Sequence, residues 1–275
     1  MSAEKGTAES KPFTIHIDTG GTFTDCYVEG GGQVVLSKSD TTPHDLSQGV
    51  LECIDRAAGA LSLDRSVLLR QSAVITLSST IATNTFINEN GANVGLLVGE
   101  KLAGRLHELD DGVLLEMDRV AAIPETAGKS ETESIRSAVR TLLEHGARVL
   151  VIALSGGADL REREKKVREI IAADYPRHYL GAVPTLPSHQ VTPMADGLVR
   201  VQTAVIDAYI HLVISRFLYR VEDQLRQDGF SRPLQIANAN GGTSRVGQDD
   251  DPQDLGIGPG GGRRGCRRTG QATAP

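Results

Sequence analysis

Apolar and polar residues alternate near the start of the chain in a pattern that is typical of short strands. Apolar side chains occupy every second position from Phe13 to Ile17, and a second run at 24–29 follows a Gly-Gly pair. A third run at 33–37 follows three consecutive glycines. Because a period of two places alternate side chains on one face of a sheet, the pattern predicts a three-stranded meander.

Later in the chain the apolar period changes, and helical and strand-like segments alternate. We expect a helix opened by Thr42 as N-cap and Pro43 in the first turn. Further helices are predicted at 79–90, 130–144, 160–173 and 193–228. Buried strands are predicted at 73–77, 94–98, 148–154, 179–183 and 233–237. Residues 99–129 mix charges with leucines, and their pattern predicts no element.

This order of elements predicts an α/β fold with a mixed sheet and flanking helices, although the order alone fits several such folds. The chain has 275 residues, 39% of them apolar, which suggests two domains or one large one. A net charge of −6 gives no reason to expect nucleic acid or a membrane surface as partner. No apolar run approaches the roughly 20 residues of a membrane span, and the polar start lacks a signal core. We therefore expect a cytoplasmic protein.

The most informative motif is Asp-Thr-Gly-Gly-Thr-Phe-Thr-Asp at residues 18–25, between the first two predicted strands. Glycines let backbone N–H groups approach an anion closely, and threonine hydroxyls can donate to phosphate oxygens. Asp18, at the strand end, is placed to hold Mg²⁺ directly or through water. The motif thus predicts a phosphate-binding hairpin, with an ordinary Gly-Gly hairpin capped by an aspartate as the alternative.

The full string resembles the first phosphate motif of the actin, hexokinase and heat-shock-protein ATPase superfamily. Within it, the chain resembles the hydantoinase A, 5-oxoprolinase and ketone carboxylase family over roughly residues 13–246. Three further segments share this resemblance: 80–97, Arg200 with 203–209, and 240–243. The resemblance implies the ribonuclease-H-like first half of an actin-like ATPase fold. It also implies an N-terminal domain at 13–190 and the start of the main domain at 191–246, after a flexible 1–12.

The resemblance further implies an ATP-dependent enzyme that phosphorylates an amide, ketone or bicarbonate oxygen before ring opening or carboxylation. Its cofactors would be ATP and Mg²⁺, and its partners a small-molecule substrate and a hydantoinase-B-type subunit. Asp18 is the implied catalytic and metal-binding residue. The implied phosphate-binding residues are Thr19, Gly20, Gly21, Thr22, Thr24, Gly241, Gly242 and Thr243. Candidate substrate or anion contacts are Ser79, Thr80, Asn84 and Arg200.

Alternatives remain for some of these residues. Ser78 or Ser79 could simply cap a helix, Thr19 could stabilise the turn rather than bind phosphate, and Arg200 could pair structurally. The chain also departs from the family pattern at Leu77–Ser79 and at Ser155–Glu164, where the family's histidines are missing. These departures favour a ketone-carboxylase-like subunit over a standard hydantoinase. Glu164 is expected on a solvated helix face because its helix is rich in charges.

Cysteines and histidines point to no further chemistry. Cys26 and Cys53 are expected as small core residues, because the three cysteines are widely separated. The seven histidines lack the spacing of metal ligands.

Residues 247–275 have almost no apolar side chains and predict a disordered tail. If plausible codons for this segment are shifted by one base, they can encode a stretch that ends in Ser-Gly-Pro. Members of the family have such a stretch at this place. We therefore predict that residues 247–275 are translated out of frame. Only one Asp-x-Gly-Gly-Thr loop is present, whereas an actin-type ATPase uses two. The alternative function is therefore a truncated, non-catalytic fragment with half of the ATP site. In that fragment the helix at 193–228 would expose Val205, Leu212 and Phe217.

Overall fold

The computed structural model describes residues 12–42, 44–109, 115–126, 128, 131–176, 183–237 and 242–245. Its strands are β1 (Phe13–Thr19), β2 (Phe23–Gly30), β3 (Gln33–Asp40), β4 (Ser72–Ser79), β5 (Val94–Gly99), β6 (Val120–Ile123), β7 (Val149–Ala153), β8 (Thr185–Pro187), β9 (Gln235–Ala237) and β10 (Thr243–Arg245). Its helices are α1 (Leu46–Ala60), α2 (Arg65–Gln71), α3 (Ile81–Ile87), α4 (Glu100–Ala103), α5 (Thr132–Glu144), α6 (Leu160–Asp174), α7 (Ser188–Val191) and α8 (Gly197–Gln227). The predicted meander and the α/β class are confirmed.

The chain divides into two compact units. Unit 1 contains the described residues of Met1–Ile87 and Ile214–Gln248, and unit 2 those from Asn88 to Val213. Helix α8 contributes residues to both units. The domain bounds predicted from the sequence follow chain order, whereas unit 1 combines an early and a late segment.

Unit 1 is built on a six-stranded sheet in the order β10-β9-β4-β1-β2-β3. The β1–β4 and β4–β9 pairs are parallel and the other pairs antiparallel, so the sheet is mixed as predicted. Because β1, β4 and β9 run in one direction, their carboxyl ends lie at the same edge of the sheet. Helix α1 packs on one face, where Ile15, Ile17 and Val28 are buried.

Unit 2 is built on a four-stranded parallel sheet in the order β6-β5-β7-β8. Apolar clusters fill both of its faces. On one face Leu96 packs with the α8 residues Val201 and Val205, and on the other Leu97 faces α5 and α6. All residues of β7 are buried, as expected for a parallel strand covered on both faces.

Helix α8 is the one described helix that is long and apolar enough, by length and composition, to cross a membrane. Within its most apolar window 61% of the helix is buried inside the protein, which is typical of a core helix. Val205 and Phe217 are buried and Leu212 is partly buried, so the predicted exposure of this stripe is wrong for Val205 and Phe217.

Several element boundaries differ from the sequence prediction. Helix α1 begins at Leu46, and its N-cap is Asp45, whose carboxylate accepts from the backbone N–H of Ser47. Thr42 is therefore not the cap, and Pro43 lies outside the described residues. The sequence does not predict helix α2 or strand β6, because both are too short to show a clear apolar period.

A predicted strand and a predicted turn also differ from the structure. Of the strand predicted at 179–183, residues 179–182 lie outside the described residues, and the observed strand is β8. Strand β10 lies where the sequence predicts the end of a polar turn. Tail residues 247–275 likewise lie outside the described part of the chain. Cys26 and Cys53 are buried free thiols, which confirms their predicted place in the core.

Candidate functional site

The tip of the β1–β2 hairpin is a tight turn. Gly20 N–H donates to the carbonyl of Phe23 at 2.9 Å, and the register places Asp18 opposite Asp25. Both aspartates are exposed, as are Gly21 and Thr22. The turn therefore presents a short polar surface at the carboxyl end of β1.

The turn is held from both sides. On one side Thr41, which follows β3, donates its N–H to the Thr22 carbonyl at 2.8 Å and its hydroxyl to the Gly20 carbonyl at 3.0 Å. On the other side Thr80 N–H and the Ser79 hydroxyl donate to the Thr19 carbonyl at 3.1 and 3.2 Å. These bonds fix the turn before any ligand arrives, which lowers the entropy cost of binding.

Asp18 is the one carboxylate of the motif that is oriented by a neighbour and still open to a ligand. The Ser78 hydroxyl donates to Asp18 Oδ1 at 2.6 Å. Asp18 Oδ2 has no hydrogen-bond partner among the described residues. Asp25, by contrast, is paired with Lys38 at 2.7 Å.

An exposed carboxylate beside N–H groups that can donate to phosphate is suited to bind Mg²⁺. In proteins this ion is held by one or two carboxylates, substrate phosphates and water. No group of three or more His, Cys, Asp or Glu side chains that could hold a metal occurs among the described residues. Asp18 would thus contribute one ligand, with phosphate oxygens and water supplying the rest.

The glycines of the turn have different roles. Gly20 uses its N–H within the hairpin, so this group is not available to a ligand as the resemblance implied. The N–H groups of Gly21 and Thr22 have no partner in the described part of the chain. A Cβ on Gly21 would meet the Asn84 amide at 3.0 Å, so a side chain here would press on α3. Gly21 and Thr22 are the candidates for phosphate binding.

Two threonines point away from this surface. The Thr24 hydroxyl is fully buried and lies 3.2 Å from the Thr41 hydroxyl. Thr19 is also buried, and its hydroxyl has no hydrogen-bond partner among the described residues. Their predicted contacts to phosphate are therefore not supported by the geometry. Thr19 and Thr24 lie two positions from the buried residues Ile17 and Cys26, so they lie on the same face of the sheet. This period-two pattern could have indicated from the sequence that both threonines are buried.

The turn between β4 and α3 lies against the hairpin. The Ser79 hydroxyl accepts from the N–H of Ile81, the first residue of α3, at 3.1 Å, so its side chain caps the start of this helix, the simpler of its two predicted roles. Thr80 is exposed next to the hairpin, and the Asn84 amide donates to its hydroxyl at 3.4 Å. Thr80 and Asn84 therefore border the same polar surface.

Gly242 and Thr243 lie at the same edge of the sheet. Strand β9 runs parallel to β4, and Thr243 of β10 pairs with Ala237 at the carboxyl end of β9. The segment therefore lies near the edge of the sheet where β1 and β4 end. A segment that adds binding groups to the hairpin tip would have to lie at this edge. Gly241 lies outside the described residues.

Arg200 belongs to unit 2 and is 2% exposed. Its guanidinium donates to the carbonyls of Leu154 at 2.7 Å, Ala195 at 2.9 Å and Met194 at 3.1 Å. Backbone carbonyls thus accept the hydrogen bonds that the Arg200 guanidinium would otherwise donate to an anion. The geometry supports the structural alternative for this residue.

Glu164 is fully buried, so the prediction of a solvated position is wrong. Its carboxylate accepts from Leu154 N–H at 3.0 Å, the Ser188 hydroxyl at 2.7 Å, and the N–H and Nδ1 of His189 at 3.0 and 2.7 Å. Sequence reasoning missed Ser188 and His189. Glu164 shares a helix face with the apolar Val167 and Ile171, and this spacing could have indicated burial.

A second carboxylate network lies at the carboxyl ends of the unit 2 strands. Glu125 accepts from Ser155 N–H at 3.1 Å, the Ser155 hydroxyl at 2.7 Å and Lys101 N–H at 3.2 Å, and pairs with Arg163. Burial alone would raise the pKa of Glu125, but the bonds from Ser155 and Lys101 outweigh burial and lower it. This network gives Ser155 a structural role in a segment that lacks the family's histidines.

Helix α8 contains two buried ionisable side chains in unit 2. Burial raises the pKa of Asp207 to about 7 and lowers the pKa of His211. In both cases the low-polarity surroundings favour the neutral form. Sequence reasoning missed both residues. Each is an ionisable residue in an otherwise apolar stripe, and this interruption could have indicated them.

Comparison with known proteins decides the family. The model of the hydantoinase/oxoprolinase N-terminal region matches residues 14–174, and the hydantoinase/oxoprolinase model matches residues 200–274. The chain belongs to the hydantoinase/oxoprolinase family. The second match extends across the residues for which the sequence predicts a change of reading frame.

Individual relatives agree with this assignment. The acetophenone carboxylase gamma subunit of Aromatoleum aromaticum is 30% identical over 85% of this chain. The caprolactamase subunit alpha of Pseudomonas jessenii is 22% identical over 84% of the chain. The chain spans 36% of the length of each of these two relatives.

The fold also has solved counterparts. The nucleotide-free structure of acetone carboxylase matches 90% of this chain and 38% of its own, with a TM-score of 0.75 at 18% identity. This likeness supports the actin-like ATPase type of fold that the sequence predicts.

Proposed function

We propose that this chain forms the N-terminal, phosphate-binding part of an ATP-dependent subunit of the hydantoinase and ketone carboxylase type. The observation that supports this most is the hairpin tip, where Asp18, Gly21 and Thr22 are exposed on a turn braced from both sides. A braced turn whose exposed residues have N–H groups without a partner among the described residues is suited to hold phosphate oxygens.

In this proposal bound Mg-ATP supplies the phosphoryl group and part of the charge neutralisation. The N–H groups of Gly21 and Thr22 and the Thr22 hydroxyl would donate to phosphate oxygens. Asp18 would hold the metal, and Ser78 would keep the Asp18 carboxylate in place. The protein groups thus position charge and ligands rather than form covalent bonds.

The substrate class follows from relatives rather than from the hairpin. We propose an amide, ketone or bicarbonate oxygen as phosphoryl acceptor, ahead of ring opening or carboxylation. The 30% identity to an acetophenone carboxylase subunit supports a ketone carboxylase over a hydantoinase. The names of the relatives describe subunits, which supports a partner subunit, and we propose one of the hydantoinase-B type in the cytoplasm.

Nucleotide binding by the full chain tests the proposal. A fluorescent ATP analogue should bind in a magnesium-dependent manner, and Asp18→Ala should weaken binding at least about tenfold, because a phosphate-bound metal loses its protein ligand. Asp118→Ala, at an exposed acidic residue of unit 2, is the matched control and should leave the affinity unchanged. Equal binding by wild type and Asp18→Ala would refute the assignment.

A further inference from the structure

A carboxylate and an imidazole form a close pair at the carboxyl edge of the unit 2 sheet. Glu164 Oε2 and His189 Nδ1 are 2.7 Å apart. Glu164 is fully buried, whereas the His189 side chain is 14% exposed, so the imidazole reaches the surface and the carboxylate does not. We call these two side chains the Glu164–His189 pair. The hairpin chemistry proposed above does not use it.

The Glu164–His189 pair lies where an open α/β sheet usually binds its ligand. His189 is the second residue after β8, and Glu164 accepts from the N–H of Leu154, the first residue after β7. Because β7 and β8 are parallel neighbours, both residues lie at the same edge of the sheet. In such sheets ligands bind outside the carboxyl ends of the strands, where the strand order reverses. In unit 2 the order reverses at β5, which has β6 on one side and β7 on the other.

The hydrogen bonds around Glu164 determine which ring nitrogen of His189 carries the hydrogen. The carboxylate also accepts from the Leu154 N–H, the Ser188 hydroxyl and the His189 backbone N–H, so its close neighbours are donors. In the neutral ring Nδ1 therefore carries the hydrogen, and the lone pair is on Nε2. His189 Nε2 has no hydrogen-bond partner among the described residues. The pair thus orients a nitrogen that can accept a proton from a ligand.

Arg200 supplies a counter-charge for Glu164, so the imidazole is not needed as a cation. The Arg200 Nε donates to the Ser188 hydroxyl at 3.4 Å, and that hydroxyl donates to Glu164 at 2.7 Å. The buried guanidinium and the buried carboxylate are thus linked through one hydroxyl. When His189 takes up a proton, the adjacent carboxylate stabilises the imidazolium, as in other carboxylate–histidine pairs.

We propose that His189 is a catalytic base positioned by Glu164, and that its substrate is a small carbonyl compound with a removable proton beside the carbonyl. This class of substrate rests on the proposed function, whose ketone and amide acceptors share that feature. Nε2 takes the proton from the α-carbon of a ketone or from the nitrogen of an amide. The electron pair of the broken bond moves onto the carbonyl oxygen, which becomes an enolate or imidate oxygen. This anionic oxygen is a better phosphoryl acceptor than the neutral carbonyl, and the proton passes from the ring to solvent.

Proton exchange of a ketone tests the proposal without nucleotide. The full chain is incubated with butanone in deuterated water, and NMR follows the loss of the proton signals beside the carbonyl. His189→Asn keeps an N–H donor for Glu164 but has no proton acceptor at the position of Nε2. We expect the protein-dependent exchange to be at least about tenfold slower with this variant, because the general base is lost.

His145→Asn is the matched control. His145 is an exposed histidine of unit 2 whose Nδ1 lies 2.8 Å from the backbone carbonyl of Thr141 rather than from a carboxylate. Its replacement should leave the exchange rate unchanged. A purely structural role of His189 predicts the same result for His189→Asn. Equal exchange by wild type and a cooperatively folded His189→Asn would therefore overturn the proposal.

The positioning role of Glu164 has its own measurement. In Glu164→Gln an amide N–H can donate to His189 Nδ1, which places the ring hydrogen on Nε2 and removes the acceptor. We expect nitrogen-15 NMR of the His189 ring to show this other tautomer, and the exchange to fall as in His189→Asn. An unchanged exchange rate in Glu164→Gln would refute the positioning role.

If His189→Asn does not fold, labelling of the wild-type chain decides. Diethyl pyrocarbonate acylates neutral imidazole, and mass spectrometry locates the label. Butanone or 2-pyrrolidinone, at or above its dissociation constant, should slow the labelling of His189 at least about twofold and leave His145 unaffected. Protection by one compound alone assigns the site to ketones or to amides, and protection by neither would overturn the proposal. Because no nucleotide is present, a failure of ATP binding at the hairpin does not affect these results.

Discussion

At the scale of single residues, Glu164 shows how unit 2 accommodates a buried carboxylate. Four hydrogen bonds reach its two oxygens, so its charge is stabilised without contact to solvent. Glu162, two positions earlier on the same helix, is exposed. The pair provides a matched comparison of one residue type in two environments.

We expect Glu164→Ala to lower the free energy of unfolding by about 3 kcal/mol, because it leaves two buried and two partly buried donors without their acceptor. Glu162→Ala should change it by less than about 0.5 kcal/mol. Urea denaturation of both variants checks this. Similar stabilities for the two variants would show that the network around Glu164 adds little.

Asp207 should make stability depend on pH. Burial raises its pKa to about 7, so the native state keeps a proton that the unfolded chain releases above its ordinary pKa of 3.8. The stability that this group contributes is fully present below pH 3.8 and is lost as pH rises toward 7. The difference between these two pKa values corresponds to at most about 4 kcal/mol of unfolding free energy.

The variant Asp207→Asn stays neutral and should be more stable than wild type near pH 8, with a much smaller difference near pH 4. Denaturation at both pH values measures this. His211 contributes with the opposite sign, since its lowered pKa costs stability as pH falls below 6.5, so His211→Gln controls for it. An effect of Asp207→Asn that is equal at both pH values would contradict the assignment.

At the same scale, Asp18 is the residue on which the proposed chemistry depends. In a complete subunit that contains this hairpin, Asp18→Ala should lower ATP turnover at least about 100-fold, because the metal loses a ligand. Thermal unfolding should stay unchanged, since Asp18 is exposed. Turnover close to that of wild type would show that the hairpin does not hold the metal.

At the scale of elements, a glycine just before β5 lets the chain pass close to helix α8 within unit 2. Ala92 N–H donates to the Tyr209 carbonyl at 2.8 Å, and a Cβ on Gly91 would overlap the Tyr209 ring. The chain can pass under the ring only where no side chain is present.

Gly91→Ala should therefore cost about 1–3 kcal/mol of unfolding free energy through overpacking. In a Tyr209→Ala background the same change should cost less than about 0.5 kcal/mol, because the ring is gone. Gly104→Ala, where a Cβ would meet no atom within 4 Å, is the control. Denaturation of the double-mutant cycle measures the coupling, and an equal cost in both backgrounds would refute the overlap.

At the scale of the whole molecule, the sequence contains a single Asp-x-Gly-Gly-Thr loop. The chain spans 36% of the length of the acetophenone carboxylase gamma subunit. A phosphoryl group held by one loop lacks donors on its opposite side. We propose that this chain alone binds nucleotide weakly and does not turn it over.

Purified chain with Mg-ATP should show no phosphate release above about 0.01 s⁻¹, against the roughly 1 s⁻¹ or more that is typical of enzymes. A coupled phosphate assay measures this, with Asp18→Ala as the background control. Magnesium-dependent release near the typical enzyme rate without added subunits would disprove the prediction.

The sequence by itself determined the meander, the α/β class and the family, because period-two and period-3.6 patterns and short glycine motifs are local signals. It also predicted a polar turn at Asp18, Gly21 and Thr22, and the role of this turn in phosphate binding stays a prediction. Only the tertiary structure decided that Thr24 is buried against Thr41, that Gly20 uses its own N–H, and that Glu164 is enclosed by Ser188 and His189. These three features depend on the folded path of the chain, which a local sequence pattern does not specify. For Thr24 and Glu164 they also depend on partners that lie far along the sequence.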